Sequence, residues 1–151
     1  MICTFFGSRN IQNYNEVITK LYDTVCDLIE NRGIRNFIVG NNGAFDRMVL
    51  KVLRTLSKSY DIDYMVVLSY LNNKNDEYND IKSCESVYPE FLEKTPKRYA
   101  IDKRNRWMIK QSDIAVIYIK DPFGNTVKYA EICEKRKMQI IKLKWVFTSA
   151  L

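Results

Sequence analysis

Asn36-Phe37-Ile38-Val39-Gly40-Asn41-Asn42-Gly43-Ala44-Phe45-Asp46-Arg47 changes periodicity partway along. Phe37, Ile38 and Val39 form a short apolar run of the kind that makes a buried strand. Gly40-Asn41-Asn42-Gly43 follows at once, and Gly and Asn are the residues that tolerate positive φ. Phe45, Met48, Val49, Val52, Leu53 and Leu56 then recur at helical spacing. The segment therefore reads as strand, tight turn, helix. Such a turn places free backbone N–H groups at a helix N-terminus, where the dipole favours an anion. It is equally the form of an ordinary strand-to-helix connection.

The same unit repeats to either side. Residues 2–6 are read as the first strand, followed by Gly7-Ser8-Arg9-Asn10. The next helix is placed near Asn13, with Glu16 three residues on as a loose capping box. Val17, Ile18, Leu21, Tyr22, Val25, Cys26, Leu28 and Ile29 form its apolar stripe, and Gly33 is read as its C′ terminator. Residues 64–68 are the third strand, 114–119 a nearly all-apolar and hence central fourth, and 139–143 the fifth. Residues 145–147 are read as an edge piece. The 70–100 stretch opens on the polar, turn-rich residues 72–77 and is read as a lid or insertion holding a short helix near 87–92. A short helix is expected over 102–111 with Asp102 as N-cap, and a last one carrying Val127, Ala130 and Cys133.

Strands alternating with helices imply right-handed crossovers and a parallel sheet. The expected fold is a single Rossmann-like α/β/α domain over residues 1–151, with a mainly parallel sheet of about five strands in the order 3-2-1-4-5. Ligands bind such sheets at the carboxyl ends of the strands, near the switch in strand order. Gly7-Ser8-Arg9, Gly40–Gly43 and the turn at 121–126 are then expected to converge on one crevice.

Bulk properties narrow the class. A chain of 151 residues with 46% hydrophobic and 28% charged residues can bury one core. The net charge of +6 suits an anionic partner. No apolar run is long enough for a transmembrane helix, so no membrane partner is expected. The N-terminal residues do not have the form of a signal peptide. The four cysteines are scattered, with Cys3, Cys26 and Cys133 in apolar segments, which fits a reduced cytoplasmic setting. The chain has no His, which excludes Ser-His and Cys-His catalytic pairs and His-ligated zinc. No cofactor and no metal are expected.

Gly7-Ser8, Gly40–Gly43 with Asp46, Arg104-Asn105-x-x-Met108 and Gly124-x-Thr126 together carry a resemblance. Across most of its length the chain resembles the SLOG superfamily. That Rossmann-like group includes the DNA-processing protein DprA and the Lonely Guy phosphoribohydrolases. The resemblance implies binding of a nucleotide or nucleotide-derived ligand. The enzymatic branch uses Arg-Lys-x-x-Met and Pro-Gly-Gly-x-Gly-Thr-x-x-Glu. Here Asn105 stands at the Lys, Tyr129 stands three after Thr126, and the nearest Glu is Glu131. This argues for a binding relative over a working hydrolase.

The candidate ligand residues are Gly7, Ser8, Arg9, Gly40, Asn41, Asn42, Gly43, Asp46, Arg104, Gly124, Asn125 and Thr126. Arg9 suits bidentate phosphate pairing. Arg104 shares a helix side with Trp107 and Met108, at the edge of the buried face, while Arg106 points to solvent. Asp46 is either a first-turn residue favoured by the dipole or a ribose ligand. Thr126 caps the last helix, donates to phosphate, or does both. Glu131 and Asp121 are the candidate catalytic carboxylates. Three functions compete: a sensor, carrier or sequestering protein for a nucleotide-derived molecule, with phage or bacterial immunity signalling as one setting; a nucleoside-monophosphate phosphoribohydrolase; and a DprA-like single-strand DNA binder. Aromatics concentrated in apolar segments count against the third. A homo-oligomer is expected.

Overall fold

A computed structural model describes residues 1–71, 80–120, 122 and 124–143. The expected turn at 72–77, the edge piece at 145–147 and Asp121 lie outside the described residues. The elements run β1 (Ile2–Gly7), α1 (Tyr14–Glu30), β2 (Asn36–Val39), α2 (Ala44–Leu56), β3 (Asp63–Val67), β4 (Ser86–Val87), α3 (Lys97–Gln111), β5 (Ile114–Tyr118), α4 (Asn125–Lys135) and β6 (Gln139–Lys142). One parallel sheet of six strands forms in the order β4-β3-β2-β1-β5-β6. The five expected strands take the order read from the sequence. The sixth, β4, is only two residues long and pairs with β3 through Val66 and Val67.

Alternation along each strand divides the core between the two faces of the sheet. Cys3 and Phe5 of β1, Phe37 and Val39 of β2, and Ile114, Val116 and Tyr118 of β5 pack with the apolar stripes of α1 and α2. Phe6, Ala115 and Ile117 point the other way and pack with Met108 and Ile109 of α3 and Tyr129, Ala130 and Cys133 of α4. The result is the three-layer Rossmann-like architecture. β5 is buried at every position, as a central strand requires.

One helix cap and one helix start differ from the sequence reading. Asn13 does hold the N-cap of α1, but in the left-handed region (φ 57) and with no side-chain cap, so the capping box does not form. Asn suits that position because its short polar side chain tolerates αL. Helix α3 begins at Lys97 after Pro96, well before Asp102. Asp102 lies inside the helix and accepts hydrogen bonds from Arg106, Lys128 and Tyr129. At the end of α1, Gly33 takes φ +67 as a terminator, and the Ile34 amide reaches back to the Leu28 carbonyl.

The described part of the 70–100 stretch is anchored from residue 80 on. Arg54 of α2 grips Glu85 with a two-pronged pair of hydrogen bonds at 2.8 and 2.9 Å and also reaches Asp80 at 3.1 Å. The Tyr64 hydroxyl and the Lys82 amide donate to the same Glu85 carboxylate. Those hydrogen bonds, Arg54 first, outweigh burial and hold the Glu85 carboxyl down at about 2. A depressed carboxyl adds stability above its ordinary value near 4.5, and that stability is lost as the pH falls toward about 2. Glu85→Gln is therefore expected to cost about 2 kcal/mol at neutral pH and to flatten acid unfolding over that window. Urea denaturation as a function of pH checks it. An unchanged acid limb would remove Glu85 as the anchor of β4.

Candidate functional site

The carboxyl ends of β1 and β5 sit side by side, where the chain turns from building one half of the sheet to building the other. A crevice of about 530 Å³ opens there. Its rim is the turn after β1, with Gly7, Ser8, Arg9 and Asn10, and the turn after β5, with Lys120, Pro122 and Gly124. Asn125 and Thr126 bring the N-terminus of α4 into it, and Asn42 and Asp46 bring the turn after β2. Ile101, Arg104 and Asn105 of α3, with Phe6 and Tyr129, complete the lining. The first backbone N–H groups of a helix have no partner within it, so α4 presents a partial positive charge to this space.

Nine of the twelve ligand residues expected from the sequence line this crevice: Gly7, Ser8, Arg9, Asn42, Asp46, Arg104, Gly124, Asn125 and Thr126. Gly40, Asn41 and Gly43 do not. The glycines serve packing. A Cβ on Gly40 would lie 2.8 Å from the Arg104 guanidinium carbon and 2.9 Å from an Asp46 oxygen. One on Gly43, which has φ +94, would lie 2.9 Å from the Arg9 Cα. One on Gly7 would lie 2.2 Å from the Phe45 ring. The N-terminus of α2 is also closed from within: the Ala44 amide donates to the Arg9 carbonyl at 2.8 Å, and the Asn42 amide donates to Asp46 Oδ2 at 2.9 Å. The helix N-terminus that faces the crevice is that of α4. Its N-cap is Gly124, so Thr126 sits in the first turn and not at the cap.

Arg104 is buried far more deeply than the edge position expected of it, at 1% exposure. Its Nε donates to Asn105 Oδ1 (2.8 Å), Nη1 to Asn41 Oδ1 (2.8 Å) and the Val67 carbonyl (3.0 Å), and Nη2 to Asn42 Oδ1 (2.9 Å). One side chain thus ties α3 to the ends of β2 and β3. Asp46 faces the same guanidinium. Burial pushes the Asp46 carboxyl up to about 6 against the pull of Arg104, the Asn42 amide and Arg9. Burial likewise pulls Arg104 below its ordinary value against the attraction of Asp46. Both shifts run toward neutralisation, so desolvation outweighs the mutual attraction of this pair.

At the rim, the Lys120 amide donates to Ser8 Oγ at 3.1 Å and fixes the two turns to each other. Arg9 and Lys120 are exposed cations there. Asn105, Lys120 and Tyr129 were not among the expected ligand residues. Tyr129 had a signal: it lies one helical turn after Thr126, so a crevice-facing Thr126 brings it along. Glu131 is exposed and does not line the crevice. Arg106 is exposed, as expected, and pairs with Asp102 at 3.0 Å. Among the described residues no helix is long and apolar enough to cross a membrane. Comparison with protein-family models, curated proteins and solved structures gives no match for this chain.

Proposed function

We propose that this crevice binds a nucleotide or nucleotide-derived small molecule, and that the protein works in the cytoplasm by holding that molecule as a sensor, carrier or sequestering protein. SLOG membership is the family-level form of the same proposal. The observation that carries it is the convergence of three separate strand-end turns, two rim cations and the N-terminus of α4 on one cavity at the switch in strand order. A cavity of about 530 Å³ is of the size that small-molecule sites have. Its charge favours an anion: Arg9 and Lys120 stand at the mouth, and the dipole of α4 adds to them. Its apolar wall of Phe6, Ile101 and Pro122 suits the uncharged part of such a ligand. The hydrolase alternative needs a carboxylate beside the sugar. Glu131 does not supply one from where it stands, and Asp121 lies outside the described residues.

Titration calorimetry with the four nucleoside 5′-monophosphates and ADP-ribose tests the proposal, beside mass spectrometry of molecules that co-purify. Arg9→Ala and Lys120→Ala are each expected to weaken binding about three- to tenfold. Binding of none of these compounds, with nothing nucleotide-like co-purifying, would sink it. Release of ribose 5-phosphate from a monophosphate would turn the reading from binding to hydrolysis.

A further inference from the structure

A guanidinium only donates hydrogen bonds. Whatever Arg104 touches must therefore present an acceptor to it. Three of its four contacts are carboxamide oxygens, those of Asn41, Asn42 and Asn105. Ser69 Oγ reinforces the Asn42 oxygen at 3.3 Å. A carboxamide carries its oxygen and its NH₂ on opposite prongs. Fixing the oxygen on Arg104 fixes the direction of the NH₂.

Asn42 and Asn105 line the crevice, whereas Asn41 does not. The Tyr129 phenol stands beside the Asn105 carboxamide on the crevice lining. That phenol sends its own proton to Asp102 Oδ1 at 3.0 Å. Asp102 is kept as an acceptor by Lys128 at 2.8 Å and Arg106 at 3.0 Å. Arg104, which can only donate, thus fixes the carboxamide oxygens, and Asp102 fixes the direction of the Tyr129 hydroxyl. Among the described residues neither the Asn105 NH₂ nor the Asn42 NH₂ has an acceptor at hydrogen-bond distance.

We propose that Asn42 and Asn105 are ligand-binding residues that donate to phosphoryl oxygens, and that Arg104 is the positioning residue that aims them. The inference rests on the crevice reading above and changes the role of its arginine. Arg104 does not clamp the phosphoryl group itself. It turns two neutral amides into donors directed at a group with acceptors only. The α4 N-terminus, Arg9 and Lys120 supply the charge, and the amides supply the direction.

The test uses the four nucleoside 5′-monophosphates as probes. Asn105→Asp keeps an oxygen for Arg104 Nε but replaces the donor prong with an acceptor. Asn42→Asp does the same from the β2 turn. Asn41→Asp places the same charge on the same guanidinium but outside the crevice, and so reports the effect of charge alone. Asn105→Asp and Asn42→Asp are expected to weaken the tightest-bound monophosphate about thirtyfold or more, with melting temperatures near that of the unaltered protein. Asn41→Asp is expected to weaken it only about two- to threefold. Equal losses for all three overturn the inference while leaving the crevice a nucleotide site. Failure of the unaltered protein to bind any of the four or ADP-ribose, with nothing nucleotide-like co-purifying, overturns the crevice reading and the inference with it. Should the aspartate variants not fold, the carboxamide NH₂ resonances of the unaltered protein decide. Those of Asn42 and Asn105 should shift on adding the monophosphate while that of Asn41 stays, and unmoved Asn42 and Asn105 signals overturn the proposal.

Discussion

Arg104→Ala is expected to cost about 3–5 kcal/mol of folding stability, because each buried acceptor it leaves unpaired costs about 1–3 kcal/mol. The substitution strands several groups at once. Asp46 keeps a buried carboxyl but loses the nearby Arg104 charge, and Asn41, Asn42, Asn105 and the Val67 carbonyl lose their donor. Each buried acceptor left unpaired adds its own desolvation cost. Arg104→Lys should recover little, because an ammonium cannot match a fork aimed at four acceptors. Arg106→Ala is the control. Its exposed pair with Asp102 is one helical turn long, and Lys128 still holds that carboxylate, so a loss below about 0.5 kcal/mol is expected. Urea denaturation of the three variants measures this directly. An Arg104→Ala protein within about 0.5 kcal/mol of the unaltered one would show that the network is not what joins α3 to β2 and β3.

The behaviour of Arg104 shows where the sequence was legible and where it stopped. Its helix face could be read, because Arg104 and Met108 recur at four residues and both are buried. What it meets there could not, since Asn41, Asn42 and Val67 come from distant parts of the chain. The sheet was readable because apolar runs at residues 37–39 and 114–118 are long enough to show, and the turns after them are polar. β4 was not, because two residues carry no periodicity. Its place is set by Arg54 and Glu85, which are paired across 31 positions. The early start of α3 was hidden because Asp102 has the chemistry of a cap, while Lys97 to Ile101 show little apolar pattern. Pro96, which suits the approach to a first helical turn, was the available signal. From the sequence Gly40 and Gly43 read as ligand residues, but neither lines the crevice. The partners that approach them are the chain's own arginines, and periodicity does not reveal that.

Gly7 carries the sharpest steric prediction. An added methyl there would sit 2.2 Å from Cγ and Cδ2 of Phe45. Phe45 is fully buried and stacks on Tyr118 with centroids 5.7 Å apart, so the ring has no free space into which to swing. Gly7 is also registered against Tyr118 in the sheet, which stops the backbone from backing away. Gly7→Ala is therefore expected to cost about 3 kcal/mol, the upper part of the range for overpacked cores. Gly33→Ala separates collision from conformational strain. Nothing lies within 4 Å of its added methyl, and only its φ of +67 opposes the change. It should cost about 1 kcal/mol, the penalty for a left-handed residue with a Cβ. Phe45→Leu supplies a rescue: alone it should destabilise by about 1–2 kcal/mol, and combined with Gly7→Ala it should cost less than the two single losses added together. Such coupling would place Gly7 where the first strand and α2 close upon each other, at the wall of the crevice. Strictly additive losses in urea denaturation would mean that the Gly7 methyl is opposed by something other than the Phe45 ring.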